Sequence, residues 1–217
     1  MTREEKIKEA EEFVKQDNYQ EAINKYCTIW KDSPFDSEVI KRILFLYSRI
    51  HEGNLDFQPS TSETFMFRGI SRFWEENLED SIKDLDRAIN LNPKNDYAYK
   101  SRAFSKFYSN KPEEAFADIK HAISMNPIGD YIDNLAQFYS ETGDSANALK
   151  YYQKAVETEP NNPRLWYNYG IELRDNGEYE RAYEMYNKAI ALWPQYPDAI
   201  ANIKYLLDSG LVKRYRN

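Results

Sequence analysis

Four prolines, Pro93, Pro127, Pro160 and Pro194, stand 34, 33 and 34 residues apart, and Ala88, Ala122, Ala155 and Ala189 keep the same three steps. A fixed period of this length, with small and large residues at constant offsets, marks a stacked array in which each period is one supersecondary unit. The clearest copy covers 163–196. There Trp166, Tyr169, Gly170 and Leu173 fall at helical spacing and form one apolar stripe. Gly177 breaks that helix, and Glu178 opens a second in which Ala182, Tyr186 and Ala189 recur at helical intervals. The small residues Gly170, Ala182 and Ala189 let two helices approach closely while bulky neighbours fill the gaps. Pro194, with no N–H to continue the ladder, stops the second helix. Each unit therefore reads as a helical hairpin with one face unburied until its neighbour stacks on it.

This pattern resembles the tetratricopeptide repeat (TPR) family, whose signature sets a large residue, a small residue, then Ala, an aromatic, Ala and Pro at such offsets. The likeness extends to 129–162 (Leu135, Ala136, Tyr139, Gly143, Ala148, Tyr152, Ala155, Pro160), to 96–128 (Tyr99, Ala103, Ala115, Ile119, Ala122, Pro127) and to 62–95 (Phe65, Gly69, Ser81, Leu85, Ala88, Pro93). A diverged copy covers 3–36, with Ala10, Phe13, Ala22, Tyr26 and Pro34. The resemblance implies an all-α fold, a right-handed α-α superhelix of helical hairpins. Four repeats fill 62–196. Residues 1–51 supply a diverged hairpin and one extra helix, 52–61 a linker, and 197–217 a capping helix with a basic tail.

Composition narrows the function. A net charge of −7 lacks the basic footprint of a nucleic-acid binder. Cys27 is the one cysteine, so no internal disulfide forms and a reducing compartment is compatible. The N-terminus, MTREEKIKEAEEF, is charged from its third residue and has no apolar run of a secretory signal, and no stretch is long and apolar enough to span a bilayer. The expected placement is cytoplasmic.

Along the chain, helices are expected at 3–15 and 19–31 with Asp17 and Asn18 at the turn, and at 38–51 behind an N-cap at Asp36 or Ser37. The stretch GNLDFQPSTS then interrupts the array. A return helix of about 14 residues would span roughly 21 Å; an extended segment of about ten residues reaches over roughly 30 Å and makes the same return. The other arrangement is two modules hinged at this linker. The helix expected at 62–75 carries Phe65, Met66, Phe67, Ile70, Phe73 and Trp74 on more than one face, so it should be buried on more than one side. Leu55 and Phe57, or the preceding helix, would cover the second side; an open docking groove is the functional counterpart. Asp198–Asp208 should form the terminal cap, closed by Gly210, with Lys213, Arg214 and Arg216 beyond.

Nothing in the sequence supports an enzyme, a cofactor or a metal centre. His51 and His121 fall in different repeats, and Asp118 beside His121 falls short of a metal site. Asp84 and Asp86, two apart on a helix, point to different sides and make no dyad. The informative residues are Asn134, Asn168 and Asn202, two steps of 34 apart on successive first helices. They sit about 200° from the stripe packed inside the hairpin, on the side that lines the concave groove of a TPR-like superhelix. An asparagine amide pairs with both the C=O and the N–H of one peptide unit, and neighbouring helices lie roughly 8–10 Å apart, about three extended residues. A row of such amides would grip an extended peptide by its backbone, as the asparagine ladders of superhelical TPR proteins do. Tyr97, Lys100, Gln137, Arg164, Tyr167 and Tyr205 flank the row as further peptide-binding candidates, while Phe67 and Ser101 hold the corresponding upstream places. The expected function is a non-catalytic interaction module or adaptor with a protein or peptide partner. Two alternatives stand beside it: a self-associating scaffold subunit, and a co-chaperone-type receptor for a C-terminal carboxylate. Asn134 and Arg164 match two of the five clamp places that the receptor needs.

Overall fold

The computed structural model describes residues 2–34, 36–52 and 58–212. Those residues form twelve helices: α1 Arg3–Lys15, α2 Tyr19–Asp32, α3 Ser37–Glu52, α4 Ser62–Trp74, α5 Leu78–Leu91, α6 Asp96–Tyr108, α7 Pro112–Met125, α8 Gly129–Glu141, α9 Ser145–Thr158, α10 Pro163–Asp175, α11 Tyr179–Leu192 and α12 Pro197–Asp208. No strand occurs among the described residues. The pairs α4/α5, α6/α7, α8/α9 and α10/α11 are the four repeats, and their opening helices, together with α1 and the capping helix α12, are the first helices. Polar N-caps start most of them: Asn77, Asn95, Asp144 and Asn162 each accept a backbone N–H of the following turn. Asp36 does the same for α3, its Oδ1 accepting from the N–H groups of Glu38 and Val39.

Internal contacts divide the chain into two units, Met1–Asp118 and Ile119–Asn217. In the first, α4 packs on α5 and is covered from its other side by α2 and α3. The Tyr47 hydroxyl donates to the Thr64 carbonyl at 2.7 Å, and Trp30 meets Phe67 edge-on at 5.4 Å. The apolar helix is thus packed by preceding helices, with Met66 and Phe67 fully buried, while Trp74 at its end stays 72% exposed. Leu55 and Phe57, the other cover expected for it, lie outside the described residues, as does the basic tail.

In the second unit hairpins stack in order, α8 on α9, α10 on both, α11 on α10 and α12 on α11. Gly170 shows why a small residue is needed: a Cβ there would lie 2.6 Å from the Tyr186 ring. Leu206 of α12 is buried, and Leu211 and Val212 turn back to bond its carbonyl through a turn at Gly210, φ +67°.

Candidate peptide-binding face

The three asparagines lie on α8, α10 and α12, first helices of the second unit. Asn168 Nδ2 donates to both carboxylate oxygens of Asp133, at 3.1 and 3.0 Å, and Asn202 Nδ2 donates to the Tyr167 hydroxyl at 3.3 Å. In each case the amide reaches the residue just before the asparagine of the preceding first helix. One register therefore runs along the seam. Asn202 also donates to the Asp198 carbonyl at 2.9 Å, and its Oδ1 accepts from Arg174 at 2.6 Å. Asn134, half-buried, has no hydrogen-bond partner among the described residues. The three amides are not equivalent: Asn134 offers an acceptor and two donors, Asn168 mainly its oxygen, and Asn202 is engaged at both ends.

Asp133 anchors this seam. It is 2% exposed, and besides Asn168 it accepts from Arg164 Nη1 at 2.9 Å, while Arg164 Nη2 reaches Asp130 at 2.5 Å. Burial pushes the Asp133 carboxyl above the usual aspartate range, against the pull of Arg164 and Asn168. Arg164 is thereby committed to two carboxylates, which removes it as a ready clamp for a terminal carboxylate. Tyr167 packs between the rings of Tyr186 and Tyr196, at 5.7 and 5.0 Å, and burial raises its phenol. Gln137 donates to Glu141 at 2.8 Å. Tyr205, 56% exposed, borders a recess of about 390 Å³ with Arg174, Asp175, Tyr179 and Asn202.

Tyr97 and Lys100 belong to the first unit. The Lys100 ammonium lies 3.8 Å from the Tyr97 ring centre, and Tyr97 meets Trp30 edge-on at 5.7 Å. The places that correspond to the asparagines are closed here: Phe67 is buried, and the buried Ser101 donates its hydroxyl to the Tyr97 carbonyl at 2.8 Å.

Sequence reasoning missed a second periodic feature. Asp84 takes Arg68 and Arg72, and Asp118 takes Arg102 and Lys106, each bond 3.0 Å or shorter. All three places recur after 34 residues, and that repeat was the available signal. The corresponding places of the next repeat are Leu135, Tyr139 and Tyr151, and there two tyrosine rings stack at 5.4 Å. Asp86 pairs with Arg102 instead, so Asp84 and Asp86 do face different neighbours. Among the described residues no group of three His, Cys, Asp or Glu side chains is placed to hold a metal ion.

Hairpins of this design, stacked through small residues, make up the tetratricopeptide-repeat fold. The model of the middle TPR-like domain of cilia and flagella-associated protein 70 matches residues 132–213. The photosystem I assembly protein Ycf3 of Rippkaea orientalis is 41% identical over 64 residues, which are 28% of this chain and 37% of that protein. The chain thus spans little more than a third of that relative. Two solved structures share the fold. YrrB, a TPR protein with an unusual peptide-binding site, superposes with a TM-score of 0.56 at 17% identity over 86% of this chain and 91% of its own. TTC0263, a thermophilic TPR protein of Thermus thermophilus, gives 0.60 at 12% identity over 94% and 98%.

Proposed function

We propose that the chain is a non-catalytic protein-interaction module whose second unit grips an extended segment of a partner protein along α8, α10 and α12. The observation that carries this reading is Asn134, an amide without a hydrogen-bond partner among the described residues, at the head of a register whose next two members are already bonded along the seam. Those inner bonds fix side chains before a ligand arrives, which lowers the ordering cost of binding. Asn134 and the oxygen of Asn168 then address the ligand backbone, and Ile171, half-buried on α10 one turn past Tyr167, and Tyr205 offer apolar contact. A peptide-binding site in YrrB and an assembly role in Ycf3 agree with this. A reducing, cytoplasmic setting belongs to the same proposal, with the buried Cys27 thiol pushed up by desolvation and thus held protonated.

The test is affinity capture from the source cell with the wild-type chain and Asn134→Ala. Unpairing one peptide unit should weaken partner binding about tenfold, with helicity and melting temperature unchanged. Equal binding would remove the amide from the mechanism. The self-association reading draws on Leu192 and Ile200, 41% and 45% exposed on the last two helices; the molar mass of a monomer by light scattering, unchanged with concentration, counts against it.

A further inference from the structure

The first-helix face of the first unit has a different chemistry. Tyr97, Lys100, Phe104 and Tyr108 follow one side of α6, and Phe73 and Trp74 end α4. The Phe73 ring centre lies 5.3 Å from Trp74, 5.8 Å from Tyr108 and 6.4 Å from Phe104. The Lys100 ammonium lies 3.8 Å from the Tyr97 ring centre and 5.9 Å from that of Phe104. These groups make one continuous run of rings with a cation set into it. The run ends at the most exposed large apolar side chains of the unit's first helices, Trp74 at 72% and Tyr108 at 47%. A contiguous aromatic run that is half-buried along Tyr97, Phe104 and Phe73 and exposed at Trp74 and Tyr108 is the kind of surface that marks an interaction site.

Three features choose the occupant. Lys100 is the one charged residue of the six and has no carboxylate partner among the described residues, whereas Arg68, Arg72, Arg102 and Lys106 nearby are all ion-paired. A carboxylate on the ligand supplies the missing charge. The strip also carries polar hydrogens on ammonium, phenol and indole but no side-chain amide to answer a ligand N–H: Ser101 spends its hydroxyl on Tyr97, and Phe67 is apolar and buried. Proline offers a carbonyl and no N–H. Finally, a polyproline II segment advances about 9 Å per three-residue turn, matching the roughly 8–10 Å between neighbouring helices. Successive turns of one ligand face therefore meet the rings of α4 and of α6.

We propose that this strip docks an extended, proline-bearing acidic segment of a partner protein, its carboxylate on Lys100 and its prolines on Phe104, Tyr108 and Trp74. It uses residues of the first unit alone and does not rest on the reading of the amide face.

A phage-displayed random 16-residue library panned on the full chain tests this. Enriched peptides should combine proline with Asp or Glu. A synthetic representative should bind Trp74→Ala and Lys100→Ala at least tenfold more weakly and Asn134→Ala as well as wild type. Lys100→Glu should turn the selection towards basic peptides, and melting curves of each variant separate lost binding from lost folding. Where Lys100→Ala does not fold, Lys100→Gln takes its place. Basic or proline-free winners, enrichment that Trp74→Ala leaves intact, no enrichment at all, or a dimer that Trp74→Ala dissolves would each overturn the proposal.

Discussion

Asp133 is held by Arg164 and Asn168 at 2% exposure, and Arg164 is half in solvent with a second carboxylate, Asp130, to hold. That asymmetry gives two different mutational costs. Arg164→Ala leaves a buried carboxylate with one amide and should cost about 3 kcal/mol in urea unfolding. Asp133→Asn keeps the shape and leaves Arg164 its other partner, so the expected loss is under about 1 kcal/mol. The reverse order would contradict this geometry. Because burial raises the Asp133 carboxyl, the folded chain holds its proton more tightly than the unfolded chain, whose value is about 3.9. Its contribution to stability therefore falls as pH rises from that value through the raised folded one, and is flat above it. The wild type should lose stability relative to Asp133→Asn as the pH of the unfolding measurement rises from about 4, and Arg164→Ala should lose more than the wild type; a difference that does not change with pH would contradict the raised carboxyl. The period of 34 made the row of asparagines legible in the sequence. It did not show that Asn168 and Asn202 bond the preceding helix, since that depends on how far adjacent helices slide along each other, and no spacing within one helix records it.

Each first helix ends in a turn whose residue has positive φ. Gly143, Gly177 and Gly210 serve the later helices, but Asp17, Glu76 and Asn110 take the same place in the earlier ones, Glu76 at φ +60°. A side chain pays about 1 kcal/mol there, so Glu76→Gly should raise stability by about that much, read as an upward shift of melting temperature. Gly170→Ala should act the other way, by about 1–3 kcal/mol, because its Cβ would run into the buried Tyr186 ring. The boundaries of the four hairpins were legible because proline and glycine punctuate them. The cover on α4 was legible only in part. A helix apolar on several faces announces burial, yet Trp74 is its last residue, beyond Phe67 and Thr64, which Trp30 and Tyr47 touch, and it stays in solvent. Arg68–Asp84 and its repeat were not read because charged residues at helical spacing look the same whether they face water or each other.

Over the two units, one hairpin motif carries two surface chemistries: rings around Lys100 in the first, amides and carboxylates in the second. Both sit on first helices, where side chains outside the hairpin interior are free to vary while Gly69, Ala103, Ala136 and Gly170 preserve the stacking. The fold thus follows from the constant positions and the function from the variable ones. The most direct test places a photoreactive benzoylphenylalanine at Gln137, which flanks Asn134 on α8, at Tyr205 or, as a control, at Gln153, which is exposed on α9. Each variant is irradiated with the captured partner, and the adducts are mapped by mass spectrometry. Adducts to one short partner segment are expected from positions 137 and 205 and not from 153; labelling from 153 as strong as from 137 would contradict the assignment of the binding face.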